Sequence, residues 1–104
     1  MDYKHIRNQS TDGKVRELLI YGVIGKAIDG LQVAHELRYL IDFEDVTEID
    51  VVINSAGGSM VEGFGIISAL QSAKSKGIKI NTINAGLCAS MGGLIFAVGD
   101  YRKM

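Results

Sequence analysis

Several residue types on which metal sites, disulfides and membrane spans depend are scarce or absent in this sequence. Its 104 residues contain one cysteine, Cys88, two histidines, no proline and no tryptophan. A single cysteine cannot form an internal disulfide, and with two separated histidines it offers no metal-ligand spacing. No apolar run reaches the ~18 residues that a membrane-spanning helix needs. We therefore predict a cytoplasmic chain with no metal, no cofactor and no membrane partner.

The charge balance removes the usual basis for nucleic-acid binding. The formal net charge is −1, and lysine and arginine are scattered along the chain. The electrostatic attraction that dominates nucleic-acid affinity is therefore missing. Hydrophobic residues make up 47 % and charged residues 22 %, close to the averages of globular domains. Length and composition together predict one small domain with a packed core.

Hydrophobic patterns predict strands that alternate with helices. Three apolar runs rich in β-forming residues predict buried strands, at residues 17–24, 48–54 and 78–84. A helix follows each strand. Asp29 can cap the first, and the second has apolar residues at helical spacing (Met60, Phe64, Ile67 and Leu70). The third, SMGGLIFAVG, is apolar on all sides, which predicts a buried helix.

This order of elements predicts an α/β domain. Repeated β-α units favour parallel strands joined by right-handed crossovers. Residues 1–14 are polar, and we expect them to be a flexible lead-in to a domain over residues 15–104. Two glycine-rich turns, at residues 55–59 and 85–93, each follow a predicted strand. Because the carboxyl ends of parallel strands meet at one edge of a sheet, we expect the two turns to be neighbours.

Ser90 lies in the second of these turns and has two interpretations. Small residues flank it, in CASMGG, which partly matches the small-x-Ser-x-Gly elbow of serine hydrolases. It could equally be a small residue at a tight contact between a helix and a strand. Gly57 and Gly58 could expose a backbone N–H to a ligand or simply form a tight turn. Ser59 is well placed to cap the helix that follows it.

The stretch INSAGGSMVEGFGIISALQSAKSKGIKINTINAGLCASMGG resembles the proteolytic subunit of the Clp protease, especially its phage relatives that act as head maturation proteases. The family pattern is Ile-Asn-Ser-Pro-Gly-Gly, a helix, a strand, and then Ala-Ser-Met-Gly. Residues 53–59 and 89–92 match both motifs at the family's separation, and the similarity extends from about Leu18 onward. The resemblance implies a ClpP/crotonase-like fold of repeated β-α units.

The resemblance also implies roles for individual residues. Ser90 would be the nucleophile of a serine endopeptidase, and the backbone N–H groups of Gly58 and Met91 would form its oxyanion hole. Residues that line the substrate groove would be Gly57, Gly58, Ser59 and Met60. Implied partners are a peptide or protein substrate and other copies of the chain in a ring. An ATP-driven unfoldase or phage capsid and scaffold proteins would complete the assembly.

Two departures from the family pattern qualify these roles. Ala56 replaces the family's proline, although both glycines are retained. The family's general-base histidine and its aspartate lie further beyond the serine than Met104. We therefore expect a domain that is incomplete at its C-terminus, an N-terminal part of a peptidase, with little activity alone.

Three alternatives remain open. The fold could serve as a non-catalytic binding or assembly module in which Ser90 is a relic. A crotonase-type enzyme acting on acyl-CoA shares the fold and an oxyanion hole of two amides, but it gives the serine no purpose. A relative of signal-peptide peptidases with a Ser-Lys dyad would need a lysine outside this chain.

Overall fold

A computed structural model describes residues 2–104, which form five strands and three helices. The elements in chain order are β1 (Ile6–Asn8), β2 (Val15–Tyr21), α1 (Gly30–Phe43), β3 (Glu48–Ser55), α2 (Met60–Ser75), β4 (Lys79–Cys88), α3 (Met91–Phe96) and β5 (Tyr101–Lys103). The α/β class is thereby confirmed, and the predicted alternation of three strands and three helices is found from β2 to α3, whereas β1 and β5 are additional strands. Within residues 2–104, none of the helices is long and apolar enough to cross a membrane.

The strands form one sheet in sequence order, β1-β2-β3-β4-β5. Strands β2 to β5 are parallel, and β1 pairs antiparallel with β2. Alternate residues of β3, Ile49, Val51 and Ile53, are fully buried in one core cluster with apolar residues from all three helices. The helices therefore cover one face of the sheet, and the other face carries the intervening residues, such as Glu48 and Asp50.

Side-chain caps define where the first two helices begin. Asp29 accepts a hydrogen bond from the backbone N–H of Gln32, and Ser59 accepts one from that of Glu62. Both caps satisfy amide groups that the first turn of a helix leaves unpaired. The predicted capping roles of Asp29 and Ser59 are confirmed.

The structure differs from the sequence expectation at the start of the chain. Ile6–Asn8, within the segment expected to be a lead-in, is an edge strand of the sheet. The buried carboxylate of Glu36 in α1 accepts hydrogen bonds from the backbone N–H groups of Lys4 and His5, at 2.9 and 3.1 Å. These contacts come from a residue about thirty positions away, so the local polar composition gave no sign of them.

The second and third helices also differ from expectation in which faces they bury. In α2 the packed face is made by Ile66, Leu70 and Ala73, and Met60 is 64 % exposed. The third helix is short, and Leu94 on it is half-exposed. The prediction that α3 is buried on all sides is therefore wrong, because a helix at the rim of a two-layer domain has the sheet on one side only.

Candidate functional site

The two glycine-rich turns meet at the carboxyl edge of the sheet, as the sequence predicts. Ser55 at the end of β3 pairs with Cys88 at the end of β4, and the Ala89 N–H donates to the Ser55 carbonyl oxygen at 3.1 Å. A Cβ atom placed on Gly57 would lie 2.9 Å from the Ser90 Cβ. We call residues 55–59 the glycine turn and residues 89–92 the serine turn.

Ser90 has an unusual backbone conformation, with φ 53° and ψ −122°. It is the one non-glycine residue with positive φ within residues 2–104. A side chain in this region costs of order 1–3 kcal/mol, and such strain is concentrated at functional sites. The strand-to-helix position, the positive φ and the exposed side chain are the features of a nucleophile elbow.

The Ser90 side chain makes no capping hydrogen bond to α3, although it occupies the N-cap position. Serine at this position normally accepts a hydrogen bond from the helix and so satisfies one of its free amide groups. The Ser90 hydroxyl is therefore not held by the helix that it precedes. It is exposed at the surface where the two turns meet.

Gly58 lies so close to the chain after β2 that only glycine fits. Its φ is 140°, and a Cβ atom there would collide with the carbonyl oxygen of Ile24. A parallel bridge joins Gly58 to Ile24, in which the Ile24 N–H donates to Gly57 and the Ser59 N–H donates to Ile24. Ile24 thus bonds to the Gly57 carbonyl oxygen and the Ser59 N–H, which lie on either side of Gly58. In a parallel bridge of this kind the N–H of Gly58 itself points away from Ile24.

Met91 supplies a second free amide beside the serine. It is the first residue of α3, so its N–H has no acceptor within the helix. A Cβ atom on Gly57 would lie 3.2 Å from this nitrogen, which places the amide against the glycine turn. The Met91 side chain is buried, and Gly63 of α2 leaves the space for it. The structure thus places the Met91 amide and Ser90 against Gly57, the residue that precedes Gly58.

Ser55 fixes the glycine turn, a role that sequence reasoning did not assign. Its buried hydroxyl donates to the Gly22 carbonyl oxygen at 2.6 Å and accepts from the Gly57 N–H at 3.1 Å. One side chain thereby ties the end of β2 to the turn that carries Gly58. The sequence signal for it is a serine that ends a buried strand directly before two glycines.

Other candidate nucleophiles and bases do not join this site. Burial raises the pKa of the Cys88 thiol, which opposes formation of the reactive thiolate. His5 lies directly before β1, and its backbone N–H donates to the Glu36 carboxylate. His35 is exposed on α1. Within residues 2–104, the Ser90 hydroxyl makes no hydrogen bond with either histidine. Nor do these residues contain a group of three or more His, Cys, Asp or Glu side chains that could hold a metal ion.

Comparison with known proteins gives a consistent family assignment. The sequence matches the Clp protease family over residues 7–104. It is 35 % identical over 92 residues to an ATP-dependent Clp protease proteolytic subunit of Chara vulgaris, covering 85 % of this chain and 39 % of the relative. A protein of the same name from Pleurastrum terricola is 38 % identical over 72 residues, covering 69 % of this chain and 35 % of the relative.

A third relative is similar over a shorter stretch of the chain. ATP-dependent Clp protease proteolytic subunit 3, chloroplastic, of Arabidopsis thaliana is 40 % identical over 65 residues, covering 62 % of this chain and 20 % of the relative. The chain thus spans between about a fifth and two fifths of the length of these relatives.

Proposed function

Because this chain belongs to the Clp protease family, we propose that it is part of a Clp-type serine endopeptidase in which Ser90 is the nucleophile. The observation that carries the proposal is the positive φ of Ser90 at a strand-to-helix turn, directly against the glycine turn. A strained serine beside two free backbone amides is the arrangement that acyl transfer requires.

The chemistry follows from the positions of these groups. The Ser90 hydroxyl oxygen attacks a peptide carbonyl carbon, and the carbonyl oxygen becomes an oxyanion in the tetrahedral intermediate. The N–H groups of Gly58 and Met91 would donate to that oxyanion, and backbone amides lower such a barrier because the fold fixes them before the reaction. The peptide lies extended along Gly57, Gly58, Ser59 and Met60 and binds through main-chain hydrogen bonds.

The step that residues 2–104 do not supply is activation of the serine. A serine hydroxyl is a weak nucleophile until a general base accepts its proton, and within residues 2–104 neither histidine forms a hydrogen bond with Ser90. We therefore propose that the 104 residues alone hydrolyse peptides very slowly. In the working enzyme a histidine and an aspartate would complete the site.

The proposed partners follow the family resemblance. Copies of the chain would assemble into a ring in the cytoplasm, and either an ATP-driven unfoldase or phage capsid and scaffold proteins would deliver the substrate. The phage head maturation subtype rests on the resemblance of residues 53–92. The ATP-dependent alternative is supported by the names of the three relatives.

A fluorophosphonate probe with added imidazole tests the proposed site directly. Such probes react with an activated serine beside an oxyanion hole, and imidazole can stand in for the missing base. We expect slow labelling of the wild-type chain that imidazole accelerates by about tenfold or more, since a general base contributes about 10²–10⁴-fold. Intact mass and peptide mapping would place the label on Ser90.

Two variants decide the outcome. Ser90→Ala should abolish labelling, whereas Ser68→Ala, which removes an exposed hydroxyl of α2, should label like the wild type. Labelling of the Ser90→Ala chain at the wild-type rate would contradict the proposal. A wild-type chain that stays unlabelled at high imidazole would also contradict the proposal, and it would favour the non-catalytic assembly module.

A further inference from the structure

A second candidate site lies on the sheet face opposite the helices, at the amino ends of β3 and β4. A cavity of about 340 Å³ opens there between β3, β4 and β5. The polar residues that line it are Glu48, Asp50, Lys79, Asn81, Tyr101 and Lys103. Ser90 follows the opposite end of β4, so this cavity is separate from the proposed peptidase site.

Two carboxylates dominate one wall of the cavity. Glu48 and Asp50 are two residues apart on β3 and therefore lie on the same face of the sheet. Within residues 2–104, neither carboxylate forms an ion pair. Their one described partner is the Asn81 side chain, whose Nδ2 donates to Glu48 Oε2 and, at 2.8 Å, to Asp50 Oδ1. Two like charges are thus held together by a neutral amide.

The same asparagine has an unused acceptor. Asn81 is only 7 % exposed, and its Oδ1 has no hydrogen-bond donor among residues 2–104. A buried acceptor without a donor is unfavourable, and native structures seldom retain one. This oxygen has almost no accessible surface, so the groups that the cavity offers to a ligand are the two carboxylates. Since they form no ion pair within residues 2–104, they favour a positively charged group that donates several hydrogen bonds.

The chemistry of these groups favours an organic cation over a metal ion. Asn81 presents its nitrogen to the two carboxylates, so three oxygens do not converge on one point as a hard metal ion requires. A guanidinium has five N–H donors in a plane and pairs with carboxylates at two points. Tyr101, which is 60 % exposed, adds an aromatic ring on which a guanidinium can stack.

We propose that this cavity binds a guanidinium group, with Glu48 and Asp50 as its anionic partners. Lys79 and Lys103 are exposed and form no ion pair within residues 2–104. Their long stems can carry the ammonium groups to the rim, where they would meet an anionic group attached to the guanidinium. The guanidinium can come from free arginine or from an arginine side chain of a protein, including a second copy of this chain.

The test uses three small probes on the whole chain, followed by NMR shifts of backbone and side-chain amides. The probes are N-acetyl-arginine methylamide, free arginine and N-acetyl-citrulline methylamide, which keeps the shape of the first probe but has no charge. We expect saturable shifts of the Asn81 side-chain amide and the Tyr101 backbone amide with the arginine probes only. Tighter binding of free arginine would identify the free amino acid as the source of the guanidinium. Tighter binding of the capped probe would identify an arginine side chain of a protein as the source.

Variants separate this site from the rest of the protein. Asp50→Asn and Glu48→Gln should each weaken binding by about five- to tenfold, the usual worth of one charge-assisted pair. Asp42→Asn, which removes an exposed acid of α1 paired with Lys76, and Ser90→Ala should bind like the wild type. If citrulline binds as well as arginine, or if no saturable shift appears up to about 10 mM probe, the proposal fails. Loss of binding in Ser90→Ala would also overturn it, because the cavity would then not be separate.

If the guanidinium belongs to an arginine of a second copy of this chain, we expect a further effect. The capped arginine probe should then lower the apparent mass of the chain in sedimentation, because it competes for the cavity. An unchanged mass with intact binding would assign the cavity to a ligand from outside the assembly.

Discussion

Two serines in this protein occupy the same position in the fold and behave in opposite ways. Ser59 and Ser90 each stand at the N-cap of a helix that follows a parallel strand, in turns that meet at one edge of the sheet. Ser59 accepts a hydrogen bond from the Glu62 N–H at 3.2 Å and so anchors α2. Ser90 caps nothing and has a positive φ.

The difference separates a serine with a structural role from the serine that we propose as the nucleophile. A capping serine contributes about 1 kcal/mol to stability, and its conformation is relaxed. A serine at positive φ without a cap contributes strain instead, and glycine would fit there at lower cost. A side chain kept in such a place is explained better by chemistry than by stability.

The two turns also reach their conformations by different means. The glycine turn uses Gly57 and Gly58, with φ of 112° and 140°. The serine turn uses a residue with a side chain. Where the backbone N–H is the proposed functional group, glycine is sufficient. Where the hydroxyl is the proposed functional group, the chain retains a serine despite the strain.

The largest expected effect comes from filling the glycine turn. Gly58→Ala would force a methyl group against the carbonyl oxygen of Ile24 in a region of φ that alanine avoids. We expect a loss of about 2–4 kcal/mol in the free energy of unfolding, measured by urea denaturation. The control is Gly65→Ala, since a Cβ added there would meet no atom within 4 Å apart from its chain neighbours and the backbone of its own helix. In a helix it should gain about 0.5–1 kcal/mol, and equal losses in both variants would refute the close-contact explanation.

A middle-sized effect should separate the two serines. Ser59→Ala removes the cap of α2 and should cost about 1 kcal/mol in the free energy of unfolding. Ser90→Ala removes no hydrogen bond to the helix and should change stability by less than about 0.5 kcal/mol. Parallel thermal and urea melts of the two variants would measure this. Similar losses would mean that Ser90 has a capping role after all.

A last effect, of similar size to the previous one, tests the strain itself. Ser90→Gly should raise the free energy of unfolding by about 1 kcal/mol relative to Ser90→Ala, because glycine adopts φ 53° without penalty. Both variants lack the hydroxyl, so neither should react with the fluorophosphonate probe. Urea melts of the pair give the difference, and a glycine variant less stable than the alanine variant would contradict the strained conformation.

Much of the fold could be predicted because its signals are local. Strand β3 was predicted at residues 48–54 and is found at Glu48–Ser55, because its apolar residues alternate and glycines follow. Strand β4 was expected to end at residue 84 but continues to Cys88. Its extension passes Ala85 and Gly86, which carry no strand pattern, and is held by pairing with β3. In that extension the Leu87 N–H donates to the Asn54 side chain at 3.1 Å.

The candidate site likewise has features that local sequence predicts and features that only strand pairing creates. The residues of the site and their sequence separation, Gly57 and Gly58 before Ser90 and Met91, could be identified from motifs. The roles of Ser55 and Ile24 in shaping the glycine turn could not. Each acts on a residue brought near by strand pairing, and pairing between distant segments leaves no local pattern.

The sequence by itself determined the order of the three central strands and the three helices, the cap at Ser59 and the two motifs, since these depend on residues within a few positions of one another. Only the tertiary structure decided the positive φ of Ser90, the free amide of Gly58 and the buried amide of Asn81 between two carboxylates. The physical reason is that strain, free donors and unpaired acceptors arise from what the packed neighbours supply or deny, and those neighbours are far away along the chain.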